Sequence, residues 1–222
     1  MRCESLISRR ARDIGLQIDA PTVARLARFV KLVLEYRESA SLTSLRTSSD
    51  VVEGLLVDSL ALSMVEGFSL ARRCLDIGVG GGFPSVPVAI VSPEKAWVGV
   101  DHAKRKIAFL QQVRRCVPLD NYQPMCDDFR RIALSDELAS RFDIVVTRAL
   151  KLDEQLLRAI GSVLSAEGRV ILYRHEEGYS CLDVYGHFAH EVPRPREIAM
   201  EPGIRSLSFE YHDLERLADV IR

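Results

Sequence analysis

The stretch of sequence with the clearest chemical signal is LDIGVGGGFPSVPVAI, which runs from Leu75 to Ile90. Glycine lets the backbone adopt positive φ and lets a ligand approach without meeting a Cβ atom. A run of glycines after a short apolar segment predicts a ligand-binding turn between a strand and a helix. Pro84 and Pro87 both fit the first turn of that helix, because the first four amides of a helix have no internal partner. We therefore predict a helix that starts near Phe83 or Pro84, beside the turn.

The spacing of the glycines indicates which ligand the turn receives. A dinucleotide fingerprint requires Gly-x-Gly-x-x-Gly, but Phe83 stands where the third glycine should be. An adenosylmethionine loop has the pattern acidic-x-Gly-x-Gly-x-Gly instead. This pattern is matched by Asp76, Gly78, Gly80 and Gly82. The loop therefore favours S-adenosylmethionine as the ligand, with NAD or another nucleotide as the alternative.

Asp101 is the next candidate for this site. It ends the apolar run AWVGVD, which is the second predicted strand of the chain. The carboxyl ends of neighbouring parallel strands lie at one edge of a sheet, and ligands bind there. A carboxylate at that edge can accept hydrogen bonds from both hydroxyl groups of an adenosine ribose. The glycine loop and Asp101 thus point to the same adenosyl ligand.

Several other kinds of site are not expected. Five cysteines and five histidines are scattered without the spacing of zinc ligands or of a disulfide framework, so we predict no metal site and reduced thiols. The longest apolar runs are interrupted well short of the roughly 20 residues that span a bilayer. The N-terminal segment carries charges where a signal peptide would be apolar. These features predict a cytoplasmic protein with no membrane contact.

Charge is distributed unevenly along the 222 residues, although the formal net charge is only −1. Lysine and arginine outnumber aspartate and glutamate by 3 in residues 1–50 and by 5 in residues 72–115, whereas residues 116–222 carry a net charge of −6. A basic N-terminal half is compatible with a polyanionic partner, although solvated helix faces produce the same pattern. The composition, with 47% hydrophobic and 27% charged residues, is that of a folded globular protein.

The first seventy residues are predicted to form helices. Asp19 can cap an amphipathic helix, and Ser48 or Ser49 can cap a second one. The apolar stripe of the first helix would consist of Val23, Leu26, Val30, Val33 and Leu34. Because no glycine- or proline-rich linker follows, we interpret residues 1–70 as a helical extension packed on a core domain of residues 71–222.

From Arg73 onward, short apolar runs alternate with helical segments, which is typical of repeated βαβ units and a parallel sheet. The candidate strands are residues 73–77, 96–100, 122–125, 142–147 and 169–173. Near the C-terminus, Pro202 and Gly203 can join two further strands into an antiparallel hairpin. The predicted fold class is a Rossmann-like α/β sheet of the class I SAM-dependent methyltransferase type, mostly parallel with an antiparallel last strand, preceded by the helical extension.

Further motifs agree with those of one protein family. The loop of that family reads Asp-x-Gly-x-Gly-x-Gly-Phe/Leu-Pro-Gly-x-Pro, and Asp76 to Pro87 matches it except that Ser85 replaces a glycine. The other matching positions are Leu42, Thr43, Asp58, Ser59, Asp101, Arg105, Lys106, Phe109, Leu110, Arg148 and Ala149. Together these residues resemble the small-subunit ribosomal RNA methyltransferase G family, also called glucose-inhibited division protein B, from about Ala20 to Gly178.

The resemblance implies an activity. Members of this family are cytoplasmic enzymes that methylate guanine N7 in a loop of 16S ribosomal RNA, so the implied partner is 16S rRNA or the small ribosomal subunit. N7 of a neutral guanine is an exposed lone pair that needs no deprotonation, and a catalytic base is therefore not expected. We expect the enzyme to be a monomer.

The resemblance also implies which residues hold the methyl donor. Gly78, Phe83 and Arg148 are implied to contact S-adenosylmethionine. Arg148 is in addition the candidate catalytic residue, since its guanidinium could join cofactor and substrate. The alternative for Arg148 is a structural salt bridge with Asp143 or Asp76.

Two further groups of residues complete the predicted site. Phe129 and Arg130 stand where the family has Ala-Glu near the adenine, so they are candidates for cofactor binding. Arg105 and Lys106 lie at the start of the helix after the second strand and can contact RNA phosphates. Arg174, at the end of the fifth predicted strand, is a third candidate for substrate binding.

Departures from the family pattern leave the target of methylation open. Leu55 stands where a histidine is usual, Ser41 where an asparagine is usual, and Arg174 with His175 where the family has Lys-Gly. These positions are expected to face the RNA or to shape its site. The alternatives are a methyltransferase of another RNA or of a small molecule, and a cofactor-binding protein without turnover.

Overall fold

A central β-sheet organises the chain. The computed structural model describes residues 3–133, 138, 141–148, 150–176, 179–186, 196–198 and 206–213. The strands in these residues are β1 (Arg73–Ile77), β2 (Ala96–Asp101), β3 (Tyr122–Cys126), β4 (Phe142–Arg148), β5 (Leu164–Glu176), β6 (Tyr179–Gly186), β7 (Arg196–Ile198) and β8 (Ser206–Asp213). They form one sheet in the order β3-β2-β1-β4-β5-β6-β8-β7.

The sheet is mostly parallel, as predicted. The first five strands pair in parallel with their neighbours, whereas β6 runs antiparallel to β5. β8 pairs in parallel with β6, and β7 runs antiparallel to β8. The strand order reverses between β1 and β4, and ligands of open α/β sheets bind in the crevice outside the carboxyl ends at such a point.

The five predicted parallel strands are confirmed, and β5 extends well beyond residues 169–173. β6 is not predicted from the sequence, because Asp183 interrupts its apolar pattern. This carboxylate is buried within the strand, where an ion pair with Arg174 compensates its charge. The antiparallel pairing of the last two strands is confirmed, while the turn at Pro202 and Gly203 lies outside the described residues.

Helices cover both faces of the sheet. The α-helices of the described residues are α1 (Cys3–Asp13), α2 (Ala20–Tyr36), α3 (Ser48–Val51), α4 (Val57–Ala61), α5 (Ser85–Val91), α6 (Lys104–Cys116), α7 (Phe129–Ile132) and α8 (Glu154–Val163). A π-helical turn, Val52–Leu56, joins α3 to α4. Two 3₁₀ turns, Leu62–Met64 and Phe68–Leu70, lead from α4 to β1.

Side-chain caps start two helices of the extension, α2 and α3. The Asp19 side chain accepts a hydrogen bond from the amide of Thr22, which confirms the predicted start of α2. The cap of α3 is Thr47, so the prediction of Ser48 or Ser49 is wrong by one or two residues. Thr47 forms a reciprocal capping box with Asp50, and only the residue three positions before that carboxylate can do so.

The extension packs against the same sheet face as α5 and α6. One apolar core contains side chains of α1, α2, α4, α5 and α6, and a second core lies on the other face beneath α7 and α8. The ring centroid of Phe29 in α2 lies 5.0 Å from that of Phe83, next to the glycine loop. Tyr36 and Phe109 pair similarly, with 5.7 Å between centroids. Helices of residues 3–70 thus share a core with α5 and α6, while the division into an extension of residues 1–70 and a domain of residues 71–222 stays a prediction.

A buried lysine fastens the end of the extension to the sheet. Lys95 is only 2% exposed, and its Nζ donates to the carbonyls of Ser69, at 3.2 Å, and Ala71, at 2.8 Å. The same ammonium lies 4.7 Å from the ring centroid of Phe68. These contacts compensate the buried charge and fix the last 3₁₀ turn next to the start of β2.

Candidate functional site

The loop after β1 has the backbone that its glycines allow. Gly78, Gly80 and Gly82 have φ values of 71°, 54° and 89°, in the left-handed region that strains residues with a side chain. A Cβ atom on Gly78 would lie 2.9 Å from the Leu150 side chain, and one on Gly82 would lie 2.8 Å from Val86. Both the backbone conformation and the close packing at this loop therefore require glycine, as the sequence predicts.

Asp76 supports this loop from inside the protein. The carboxylate is fully buried, and one of its oxygens accepts a hydrogen bond from the amide of Ser85 at 3.2 Å. Burial raises the pKa of Asp76 to about 7, and the Ser85 contacts oppose that shift. The Ser85 hydroxyl in turn lies 3.0 Å from the hydroxyl of Tyr122. Asp76 thus fixes the first turn of α5, which begins at Ser85, one residue after Pro84.

A cleft of about 370 Å³ opens at the carboxyl ends of β1 and β2. It is lined by Ile77, Gly78, Val100, Asp101, His102, Asp127, Asp128, Phe129, Arg130, Leu150, Lys151 and Leu156. Four predicted cofactor-binding residues therefore meet here: Gly78, Asp101, Phe129 and Arg130. The other predicted members of the glycine motif, Asp76, Gly80, Gly82 and Phe83, lie behind or beside the cleft and do not line it.

Asp101 connects β2 to the glycine loop. One carboxylate oxygen accepts from the Gly80 amide at 3.0 Å, and the other accepts from the Ala103 amide at 2.9 Å. Lys106 Nζ lies 3.6 Å from the oxygen that faces Gly80. Since a carboxylate offers about four lone-pair positions, these two amide bonds leave further acceptor capacity at the cleft.

The segment after β3 forms the opposite wall. The Asp128 side chain caps α7 by accepting from the Arg130 amide, and this fixes the buried ring of Phe129 at the cleft. The Arg130 guanidinium pairs with Asp153 at 2.6 Å. Asp127 pairs with Arg131 at 2.6 Å. Carboxylates therefore lie on this wall even though the family's glutamate is replaced by Arg130.

Arg148 lies at the end of β4, outside this cleft. Its Nη2 lies 3.3 Å from an oxygen of Asp58 and donates to the carbonyl of Gly54 at 3.2 Å. Its guanidinium carbon is 5.4 Å from the ring centroid of Tyr173. The alternative of a salt bridge is thus correct in kind, but the partner is Asp58, because the extension packs over the end of β4. Asp143, the first partner considered, instead accepts from backbone amides at the start of β1.

The candidate RNA-binding residues differ in their surroundings. Arg105 is exposed on the first turn of α6, and Lys106 beside it contacts Asp101. Arg174 forms ion pairs with Asp183 of β6 and Glu210 of β8, and these carboxylates raise its pKa. Substrate binding by Arg174 stays a prediction, and in the structure its guanidinium joins the three strands β5, β6 and β8.

The family departures fall at structurally distinct places. Ser41 has φ of 51°, a left-handed conformation that asparagine tolerates better than serine does. Leu55 lies in the π-helical turn and packs against the first core. The backbone of His175 belongs to β5, but its side chain lies outside the described residues, as do Ala149 and Gly178.

Sequence reasoning missed three residues at the mouth of the cleft: His102, Leu150 and Lys151. Each follows closely on the carboxyl end of β2 or β4, so the rule that ligands bind beyond those ends could have found them. Leu150 is 39% exposed, which among the large apolar side chains of the described residues is exceeded only by Leu70. Its contact with Gly78 places an apolar group beside the glycine turn.

The residues of the cleft fit an adenosyl group. Ile77, Val100, Phe129 and Leu156 provide apolar surface for a base, and the carboxylate of Asp101 lies at the same cleft. Any side chain on Gly78 would strain the turn and collide with Leu150. The donor set therefore agrees with the S-adenosylmethionine that the glycine spacing predicts.

Comparison with known proteins agrees with this interpretation. The sequence model of the family described as "GidB: rRNA small subunit methyltransferase G" matches residues 22–182. A ribosomal RNA small subunit methyltransferase G of Geobacter sp. (strain M21) is 33% identical over 168 residues, covering 76% of each chain. The protein of the same name from Azoarcus sp. (strain BH72) is 38% identical over 112 residues, covering 50% of this chain and 52% of that one.

Solved structures resemble the fold. The crystal structure of a putative caffeoyl-CoA O-methyltransferase from Staphylococcus aureus superposes with a TM-score of 0.50 at 12% identity, covering 64% of this chain and 65% of that one. At this identity the likeness supports the fold class alone. Among the described residues, no helix combines the length and the apolar composition needed to cross a bilayer.

Proposed function

This chain belongs to the rRNA small subunit methyltransferase G family, and from that premise we propose that it methylates N7 of a guanine in 16S ribosomal RNA with S-adenosylmethionine. The observation that carries the proposal is the cleft at the ends of β1 and β2, where the turn at Gly78 and the carboxylate of Asp101 meet. A glycine turn and a carboxylate at adjacent strand ends are the arrangement that an adenosyl ligand requires.

The cleft residues have separate tasks in donor binding. S-adenosylmethionine supplies a methyl group that is activated by its bond to a positively charged sulfur. Gly78 leaves the main chain open to close approach, and Asp101 accepts hydrogen bonds from the ribose hydroxyls with the lone pairs that Gly80 and Ala103 leave free. Phe129 provides the apolar surface for the adenine ring.

Methyl transfer to guanine N7 depends on the alignment of donor and acceptor and not on proton transfer by a residue. S-adenosylmethionine would give its methyl group to the N7 lone pair as the carbon–sulfur bond breaks and S-adenosylhomocysteine leaves, so no residue would have to remove a proton. Holding donor and acceptor in line can supply roughly 7–11 kcal/mol of the barrier reduction. The elements that fix this alignment are the rigid carboxyl ends of β1, β2 and β4.

A basic rim at the cleft is suited to RNA phosphates. Arg105 is exposed on the first turn of α6, Lys106 lies behind it, and Lys151 is exposed at the mouth of the cleft. Cations at these positions can contact phosphates on either side of a base that enters the cleft. Arg174 belongs to the proposed substrate surface at the end of β5, although its ion pairs limit its reach.

The proposal extends to the setting of the reaction. The substrate is 16S rRNA, free or within the small ribosomal subunit, and the enzyme works in the cytoplasm as a monomer. The names of the relatives support the rRNA substrate. Residues 1–70 act as a helical extension and residues 71–222 as the methyltransferase domain.

The test combines binding with transfer. Calorimetry with S-adenosylmethionine and with S-adenosylhomocysteine should show binding that Asp101→Ala abolishes. Labelled methyl groups should enter 16S rRNA, or small subunits, from a bacterium that lacks the family enzyme, and chemical cleavage should locate the mark at a guanine N7. Binding without labelling of either RNA substrate would redirect the activity to another acceptor, and absence of binding would refute the proposal.

A further inference from the structure

The N-terminal extension contributes a carboxylate to the end of β4. Asp58 in α4 is 3% exposed as a side chain, and its oxygen lies 3.3 Å from Arg148 Nη2. These two residues are 90 positions apart in the sequence. The Arg148 side chain is itself only 10% exposed. A charge pair this well shielded from water has a strong effect on the position of both partners.

Two further contacts restrict the guanidinium. The carbonyl of Gly54 accepts from Arg148 Nη2, and Gly54 lies inside the π-helical turn that precedes α4. The Tyr173 ring lies beside the guanidinium, and its hydroxyl donates to the Asp58 carbonyl at 3.2 Å. π-Helical turns within α-helices are frequent at functional sites. Here the turn and α4 together present a carbonyl and a carboxylate to one arginine.

We propose that Asp58 is a positioning residue for methyl transfer, which acts by holding Arg148 and by neutralising its charge next to the reaction site. This inference rests on the proposed function. The methyl donor carries a positive charge on sulfur, and a guanine methylated at N7 carries that charge after transfer. An uncompensated guanidinium nearby would oppose a cationic donor, whereas the Arg148–Asp58 pair has no net charge and can still donate hydrogen bonds.

Asp58→Asn tests the proposal, because the amide keeps the shape and one acceptor oxygen but removes the charge. We expect kcat for rRNA methylation to fall about tenfold or more, since misplacement of a group by 1 Å can cost about a hundredfold. KM for RNA, and Kd for S-adenosylhomocysteine by calorimetry, should change less than about threefold, because Arg148 lies outside the donor cleft.

Glu53→Gln is the matched control. Glu53 precedes Gly54 in the same helical segment and pairs with the buried Arg10 at 2.8 Å, on a different contact. Its loss should lower the melting temperature, as Asp58→Asn does, but should leave kcat unchanged. If kcat of each variant fell in proportion to the decrease in its melting temperature, Asp58 would have only a structural role and the proposal would be wrong.

A double-mutant cycle identifies the route of the effect. If Asp58 acts through Arg148, the double variant Asp58→Asn, Arg148→Gln should have the kcat of Arg148→Gln alone. It should also recover melting temperature relative to Asp58→Asn, because no buried charge is left without its partner. If the kcat losses of the two single variants multiplied in the double variant, the proposal would be wrong. It would also be wrong if the Kd of Asp58→Asn for S-adenosylhomocysteine rose by the same factor as its activity fell.

The experiment separates this inference from the function on which it rests. If the unaltered protein methylated no guanine N7 in rRNA, the proposed function would have failed. If the unaltered protein were active and Asp58→Asn equalled it in kcat, only the positioning role would be refuted.

Discussion

Ser85 shows how a single departure from the family sequence is accommodated. The family has glycine here, whereas in this chain the serine hydroxyl lies 3.0 Å from the buried hydroxyl of Tyr122. The Tyr122 hydroxyl has room because Gly99 of β2 lies beside it, and a Cβ atom at that position would collide with the tyrosine oxygen. Ser85, Tyr122 and Gly99 therefore form one packing unit behind the glycine loop.

Ser85→Ala is expected to destabilise the protein, because it leaves the Tyr122 hydroxyl buried without its side-chain partner. The expected loss is about 1–3 kcal/mol in the free energy of unfolding by urea. Adding Tyr122→Phe should recover much of that loss, since both polar groups are then removed together. If the loss in the double variant equalled the sum of the losses in the two single variants, the two hydroxyls would not interact.

Asp76 gives the protein a predictable dependence on pH. Burial raises its pKa from 3.8 to about 7 in the folded state, so between those values the native state holds a proton that the unfolded state has lost. The contribution of Asp76 to the free energy of unfolding therefore decreases as pH rises through this range. In Asp76→Asn that contribution should disappear, and the stability difference between about pH 5 and about pH 8 should become smaller than in the unaltered protein.

Urea unfolding at the two pH values measures this difference. Asp76→Asn also replaces the carboxylate that accepts the Ser85 amide, so its stability at any single pH changes for a second reason, and only the slope with pH is diagnostic. An unchanged slope would mean that Asp76 titrates at its ordinary value in the folded protein.

At the scale of helices and strands, sequence patterns predict what is local. The alternation of apolar runs and helical stripes locates β1 to β5, α2, α6 and α8, since each depends on its own period. Thr47, Ser48 and Ser49 all have a hydroxyl that could cap α3, but only Thr47 has a carboxylate three residues later, so this spacing in the sequence could have identified the cap.

The parts of the site that depend on distant contacts were the ones not predicted. Gly78 and Asp101 are predicted to lie together because they stand at the carboxyl ends of two strands of one parallel sheet, whereas Phe129 and Arg130 join them through the family resemblance, and the structure places all four at one cleft. The partner of Arg148 was missed because Asp58 belongs to a helix of the extension. No local pattern reports how that helix lies across the end of β4.

The first turn of α6 has an unfavourable distribution of charge. Lys104, Arg105 and Lys106 lie at its N-terminus, without an acidic residue in the first turn, while Arg114 and Arg115 lie in the last turn. The helix dipole disfavours cations at the N-terminus and favours them at the C-terminus. The three cations at the first turn therefore lower the stability of the helix, which is expected of residues whose role is to bind a polyanion.

Arg105→Gln should therefore weaken RNA binding while leaving stability unchanged or slightly higher. If Arg105 contacts one phosphate, the slope of log affinity against log salt should decrease by about 1. Arg115→Gln is the control at the other end of the same helix, and it should lower stability by about 0.3–1 kcal/mol without changing the salt slope. Equal effects of both variants on RNA affinity would indicate a diffuse charge effect and no contact at Arg105.

For the molecule as a whole, the extension and the sheet share one apolar core. Phe29 packs on Phe83 next to the glycine loop, and Tyr36 packs on Phe109 of α6. Lys95 ties the last turn before β1 to the sheet through two carbonyls. The uneven charge along the sequence is thus brought into one folded body, in which α2 packs next to the glycine loop.

Residues 71–222 on their own should therefore fail to form a stable domain. Removal of residues 1–70 exposes the apolar side chains of α5 and α6 that α2 and α4 cover, and it leaves Lys95 without the carbonyl of Ser69 and Arg148 without Asp58. Such a fragment should aggregate or lose cooperative unfolding measured by circular dichroism, and calorimetry should show no binding of S-adenosylhomocysteine to it. The full chain should unfold in one transition by circular dichroism and should bind S-adenosylhomocysteine. A soluble fragment with a sharp transition and normal donor binding would instead show that the sheet is autonomous and that the extension acts only on the RNA.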